Sequence, residues 1–191
     1  MDYINKLKRM IKIDNDWTLF LDRDGVINER IPKGYVMEPD QMILEVAVAD
    51  AIAEFNELFA RVIVVTNQQG IGKGLMSVEQ LDNVHQKLQL EVAASGGHID
   101  AIYYCPELAN TGSNCRKPEG GMGLQAKADF PEIDFSKSIM VGDNITDLQF
   151  GKRLGMKTIF IRTALEEQTP EVDELSDEVV DWLKDVFLVI E

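Results

Sequence analysis

The chain is poor in the residues that fasten small secreted folds and in the runs that cross membranes. Only two cysteines, Cys105 and Cys115, occur among 191 residues, too few for a disulfide framework. No apolar run is long enough to span a bilayer. Residues 1–16, ending Ile13-Asp14-Asn15-Asp16, are too charged for a secretory leader. Basic residues are scarce as well: 19 Lys and Arg stand against 33 Asp and Glu, a formal net charge of −14. Such a surface repels nucleic acid and anionic membrane, so any anion site must be a local exception. These absences predict a cytoplasmic protein with neither nucleic acid nor membrane as a partner. Repeats, linkers and low-complexity segments are also missing.

What is present is organised around Trp17-Thr18-Leu19-Phe20-Leu21-Asp22-Arg23-Asp24-Gly25. An apolar, β-favouring run ends abruptly in two carboxylates and a glycine. The run reads as a buried strand of a parallel sheet, and its end as the carboxyl edge where open α/β sheets place ligands. Asp22 and Asp24 are two apart, so an extended backbone points both the same way. Gly25 lets the main chain approach a ligand closely. Converging carboxylates repel unless a cation or proton sits between them.

The rest of the chain alternates strands with helices. Residues 1–16 read as a short amphipathic N-terminal extension, and 17–191 as a single domain. Residues 26–45, with Pro32, Gly34 and Pro39, read as a loop or flap near Asp22. Apolar residues at helical spacing, including Ala49, Ile52, Ala53 and Phe55, predict a crossover helix over 46–59. Residues 61–67 read as a second buried strand, ending in Thr66 and Asn67, with a loop over 68–74. Ser77 with Gln80 is a capping-box signal that opens a helix to about Ala94. A third strand spans 99–105, an irregular loop 106–121 and a helix 121–130. Further strands fall at 138–141 and 156–162, around a helix that Gly155 stops. The acidic tail offers Val179-Val180 as an edge strand and a helix over 181–190. The predicted class is α/β: a Rossmann-like, mainly parallel sheet with helices on both faces and no large cap domain.

Polar groups of complementary kinds stand at four strand ends or adjacent loops: Asp22/Asp24, Thr66/Asn67, Arg116/Lys117 and Asp143/Asp147. A parallel sheet gathers them on one edge. Asp22, Asp24 and Asp143 supply oxygens suited to Mg²⁺. Thr66 and Lys117 supply a hydroxyl donor and a fixed positive charge. If a helix begins near Asp143, Asp147 shares its face.

The ordered set DxDG, TN, KP and GDxxxD resembles the haloacid dehalogenase-like phosphatases over nearly the whole chain after residue 16. Within that family, Asp22 to Asn28, Gly34-Tyr35-Val36, Thr66 to Ile71, Tyr104-Cys105-Pro106 and Cys115-Arg116-Lys117-Pro118 resemble the branch of heptose bisphosphate and histidinol-phosphate phosphatases. The resemblance implies a Mg²⁺-dependent phosphomonoesterase acting on a small sugar phosphate. Its expected substrate is a heptose 1,7-bisphosphate, with histidinol phosphate as the alternative. It implies Asp22 as nucleophile, Asp24 as general acid and base, and Thr66 and Lys117 as phosphoryl stabilisers. Mg²⁺ would sit on Asp22, the Asp24 carbonyl and Asp143, with Asp147 in support. Gly25, Arg30, Lys33, Tyr35, Asn67, Gln68, Gln69 and Arg116 would bind substrate. A catalytically silent sugar-phosphate-binding module would lack the nucleophile or the acid, and both are present. A DNA 3′-phosphatase is disfavoured by the net charge. A monomer is expected.

The chain departs from the family pattern twice. Asn144 stands where the heptose enzymes carry a lysine. The zinc loop Cys-x-His…Cys-x-Cys reads Cys105, Glu107, Ser113 and Cys115 here, whereas a closed structural zinc site wants four Cys or His ligands. His85 and His98 read as surface or packing histidines, so no zinc is expected.

Overall fold

The computed structural model describes residues 10–163 and 169–191; most of the expected N-terminal extension, residues 1–9, lies outside them. Its sheet has six strands, all parallel: β1 (Thr18–Leu21), β2 (Arg61–Asn67), β3 (Ala101–Cys105), β4 (Ser138–Gly142), β5 (Lys157–Ile161) and β6 (Glu178–Val180). Their order is β3-β2-β1-β4-β5-β6. The chain moves outwards from β1 in one direction, then returns to its other side, which makes β1 the switch point where such sheets open a crevice.

Alternation along the strands feeds two cores. Leu19, Leu21, Val62, Val64, Ile139 and Val141 face one layer; Phe20, Ile63, Val65 and Met140 face the other. The first layer is closed by α1 (Val48–Phe55) and, beyond the one-turn α2 (Gln69–Gly72), by α3 (Val78–Ala94). The second is closed by α4 (Gly121–Asp129) and α5 (Ile145–Leu154). Helices thus cover both faces of an unbroken parallel sheet, as strands buried on both sides require.

Several boundaries differ from the sequence reading. α1 is shorter than residues 46–59 at both ends. Ala47 takes a left-handed φ of 61°, which delays the helix start, and Val46 is exposed. At the other end Asn56 is engaged by the chain before β3, accepting from His98 N at 2.8 Å and donating to His98 O at 3.1 Å. The stretch 68–74 contains the turn α2 rather than loop alone. The tail helix over 181–190 is a 3₁₀ helix, Leu183–Leu188, and the tail holds an unexpected α6 (Pro170–Leu175). Thr169 caps it and proline fills N1, a start signal readable in the sequence. Ser77 forms its capping box with Gln80, and Gly155 ends α5 at φ 85°. Ile11 pairs in parallel with Ile190 and belongs to the larger core.

Between Asp24 and the start of β2 the chain holds only a 3₁₀ turn, Pro39–Gln41, and the crossover α1, so no cap domain is inserted there. Phe55 ties α1 into the core, fully buried and stacked on Phe187 at 4.4 Å between centroids. Phe55→Ala should lower unfolding free energy by about 3–5 kcal/mol, read from urea denaturation. A loss near zero would show that Phe187 refills the space.

Candidate active site

The site grows out of the end of β1. Asp22 N donates to Val141 O at 3.0 Å, carrying the ladder one residue past Leu21 and aiming Asp22 over the sheet edge. The chain then turns at Gly25, whose φ is 93°; a Cβ there would lie 2.1 Å from Asp143 Oδ2. Glycine is needed for the close approach of Asp143 as well as for the turn.

Lys117 arrives from the loop before α4 and is buried. Its ammonium lies 2.8 Å from Asp22 Oδ1 and 2.6 Å from Asp147 Oδ1, and donates to Val65 O at 2.7 Å. The end of β2 holds its backbone. Asn67 Oδ1 accepts from Lys117 N at 3.0 Å and Asn67 Nδ2 donates to Lys117 O at 3.2 Å. Thr66 Oγ1, beside it, accepts from Gln68 Nε2 at 2.9 Å.

Asp147 joins the group for a reason other than a shared helical face. α5 begins at Ile145, with Asn144 as N-cap and Asp147 three residues on, in a reciprocal capping box. Asn144 Oδ1 accepts from Thr146 N at 3.0 Å, and Asp147 Oδ2 accepts from Asn144 N at 3.1 Å. Asn144 is thus a structural cap where the family resemblance led to a lysine. Gly142 makes room, since a Cβ there would meet Asp147 Cβ at 2.2 Å.

Asp22, Asp143 and Asp147 are all buried, and each offers an oxygen within 4.8 Å of the others. Burial, and then the Asp22 charge, pushes Asp143 up to about 8 and Asp147 up to about 6. Burial by itself would lower Lys117, but Asp147 and Asp22 outweigh it and hold the ammonium above its ordinary value. The cluster is therefore short of positive charge. Asp143 Oδ2 is buried with no hydrogen-bond partner among the described residues. Arg30 Nη2 lies 2.7 Å from Asp143 Oδ1 while its Nε donates to Asp24 O at 3.3 Å. A guanidinium thus supplies positive charge at two of the expected metal ligands. An oxygen set that draws a cation in this way fits a hard divalent ion.

Asp24 sits one step outward, its carboxylate ringed by donors. Arg23 Nη2 reaches Oδ1 at 2.8 Å and Oδ2 at 2.9 Å, Asn28 Nδ2 reaches Oδ1 at 3.1 Å, and Gln68 Nε2 reaches Oδ2 at 2.9 Å. Burial would raise this carboxyl, but the Arg23 charge and these hydrogen bonds hold it below its ordinary value. Gln68, expected to bind substrate, is fully buried and stands behind the cavity wall. His85 is more than a packing residue: it is buried on α3 and its Nε2 lies 3.1 Å from Arg23 Nη1. The sequence signal was its place on the apolar stripe Leu81, Val84, Leu88 and Val92.

A cavity of about 560 Å³ opens over Asp22, Asp24, Thr66, Asn67, Lys117 and Asp147, walled by Arg30, Lys33, Tyr35, Gln69 and Arg116. Gly25 lies outside its lining. Lys73, to which the sequence reading gave no role, also lines it, and Lys73 Nζ donates to Tyr35 Oη at 2.8 Å. A cation within Gly70-Ile71-Gly72-Lys73-Gly74 was a readable signal. Five cationic side chains, Arg30, Lys33, Lys73, Arg116 and Lys117, thus meet in one cavity of a protein of net charge −14. Behind this wall Cys105 and Cys115 are joined as a disulfide, so neither sulfur is a free thiolate ligand while the bond stands.

The chain matches a family model described as HAD-hydrolase-like over residues 114–186. It is 36% identical to the D-glycero-beta-D-manno-heptose-1,7-bisphosphate 7-phosphatase of Vibrio cholerae, over 88% of this chain and 92% of that one. The chain belongs to the haloacid dehalogenase-like phosphatases. The D-glycero-alpha-D-manno-heptose-1,7-bisphosphate 7-phosphatase of Mycobacterium tuberculosis is 38% identical over 71% of each chain. Among solved structures, D,D-heptose 1,7-bisphosphate phosphatase from B. bronchiseptica, complexed with magnesium and phosphate, aligns with a TM-score of 0.78 at 29% identity. That alignment covers 89% of this chain and 95% of the other. Among the described residues of this chain, no helix is long and apolar enough to cross a membrane.

Raised carboxylates have a stability consequence. A folded state that keeps protons the unfolded chain releases loses stability as pH rises. For Asp143 and Asp147 the loss runs from the ordinary carboxylate value of 3.8 up to about 8 and about 6, respectively. Chelator-treated protein should therefore melt at lower temperature at pH 8 than at pH 5.5, and excess Mg²⁺ should shrink that difference. A melting temperature that rises over this range in chelator would contradict the charge balance described.

Proposed function

We propose that the chain hydrolyses the C7 phosphate of D-glycero-D-manno-heptose 1,7-bisphosphate through an aspartyl-phosphate on Asp22. The observation that carries this reading is the Asp22 carboxylate on the cavity floor, 2.8 Å from the buried Lys117 ammonium, with Asp24 two residues on. An Asp22 oxygen attacks phosphorus and the bond to the sugar oxygen breaks. Asp24 gives a proton to that departing oxygen, then takes one from the water that attacks the aspartyl-phosphate, releasing inorganic phosphate and restoring Asp22. Lys117 and the Thr66 hydroxyl stabilise charge on the transferring group, the dominant task in phosphoryl transfer. Asp22, Asp143 and the Asp24 carbonyl would hold Mg²⁺, which when bound offsets the repulsion between a carboxylate nucleophile and a phosphate dianion.

The five cations of the cavity exceed what one phosphate needs. Lys117 serves the phosphate that leaves; Lys33, Lys73 and Arg116, with Tyr35 and Gln69, lie farther out, where a second phosphate on a short sugar would reach. This favours a bisphosphate over histidinol phosphate, whose amine would face like charges. We read the protein as a cytoplasmic monomer acting on a small molecule.

Phosphate release should be measured with Mg²⁺ across heptose 1,7-bisphosphates of both anomers, histidinol phosphate and sugar monophosphates. The heptose bisphosphates should give the highest kcat/KM, and histidinol phosphate in first place would replace the substrate assignment. Asp22→Asn should cut turnover by about a thousandfold or more while the fold survives; a loss within tenfold would remove the nucleophile. Lys73→Ala should raise KM for the bisphosphate by roughly tenfold, as loss of one charged hydrogen bond would, and leave a monophosphate nearly unaffected. Equal effects on both would move the second phosphate elsewhere.

A further inference from the structure

We propose that Arg23 and His85 form a positioning pair that fixes the Asp24 carboxylate for proton transfer, with His85 acting through Arg23 and never touching substrate. The inference rests on Asp24 being the acid and base of the proposed phosphatase.

Arg23 is fully buried, the largest side chain to be so among the described residues. A buried guanidinium must find protein acceptors for its donors or cost several kcal/mol. Its Nε and Nη2 are spent on the neighbouring carboxylate, with Nε 3.2 Å from Asp24 Oδ1 and Nη2 contacting both oxygens. Arg23 lies at the bend just past β1, where its carbonyl accepts from the amides of Ile27 and Asn28, and its side chain folds back onto the carboxylate of its own neighbour. Something has to hold its far end. That anchor is His85, 62 residues on along the chain, whose Nε2 meets Nη1 at 3.1 Å. Since arginine only donates, Nε2 is the accepting nitrogen and the ring proton sits on Nδ1. Tyr104 backs the ring, its centroid 6.2 Å away.

The arrangement separates two jobs. Asn28 and Gln68 each add one hydrogen bond to Asp24, but both are uncharged amides. Arg23 spans both oxygens and thereby sets the rotation of the carboxylate plane. The Asp24 side chain keeps 26% of its surface exposed and lines the cavity, whereas Arg23 is wholly enclosed and neither it nor His85 lines that cavity. Loss of His85 would free the Arg23 fork and let Asp24 turn. Small misplacements of an acid cost rate steeply, and the cost falls hardest on leaving groups that need a proton. A merely structural ion pair would lower stability without selecting among leaving groups.

The test is kcat/KM, which reports all steps through departure of the leaving group. It should be measured for aryl phosphates from p-nitrophenyl to phenyl phosphate and for an alkyl phosphate, with full-length protein and saturating Mg²⁺. His85→Phe should lose less than about tenfold on p-nitrophenyl phosphate and about a hundredfold on the alkyl phosphate. Its KM should change little. His85→Gln, which restores an acceptor of similar reach, should recover most of the loss. If His85→Phe does not fold, His85→Asn, too short to reach Arg23, takes its place against His85→Gln. A uniform loss across the series, no loss, or failure of glutamine to rescue would overturn the positioning role. A parent protein inactive on every ester and on heptose 1,7-bisphosphate as well would instead overturn the phosphatase reading itself.

Discussion

A lysine ammonium shared between two buried carboxylates governs this structure. Lys117 is 2% exposed and stands within 2.8 Å of both Asp22 and Asp147. Burying that charge alone would be prohibitive, and burying the carboxylates alone equally so. The three groups are affordable only together, which binds the end of β1, the start of α5 and the loop before α4 into one unit. Asn67 extends the same constraint to β2 by holding the Lys117 backbone from both sides.

The unit is deliberately unbalanced. Asp143 is a third buried carboxylate against the one lysine, and Arg30 leans onto it from the flap. Such a site is costly to fold and ready to receive a cation. The rest of the molecule offsets that cost with two apolar layers packed on either face of an uninterrupted parallel sheet.

A negative molecule with a positive cavity also separates attraction from repulsion. The net negative charge works against polyanions over most of the surface, while the cavity gathers five cationic side chains. The flap and the loop holding Lys73 are short segments whose side chains wall the opening.

The sequence by itself determined the strands, their parallel arrangement and the identity of the residues at the β1, β2 and β4 edges. Apolar runs of strand length and period-two placement of carboxylates are local signals, and a parallel sheet has only one carboxyl edge on which to gather them. Local signals also carried the caps at Ser77 and Gly155. Only the tertiary structure decided how the polar groups divide the work. Gln68 turned behind the wall, Lys73 came into the cavity, and Asp147 entered as a capping residue rather than along a helical face. His85 met Arg23 from 62 residues away. Each of these depends on where a side chain's hydrogen-bonding or charged partner lies in space, and partners on different elements leave no periodicity in the chain.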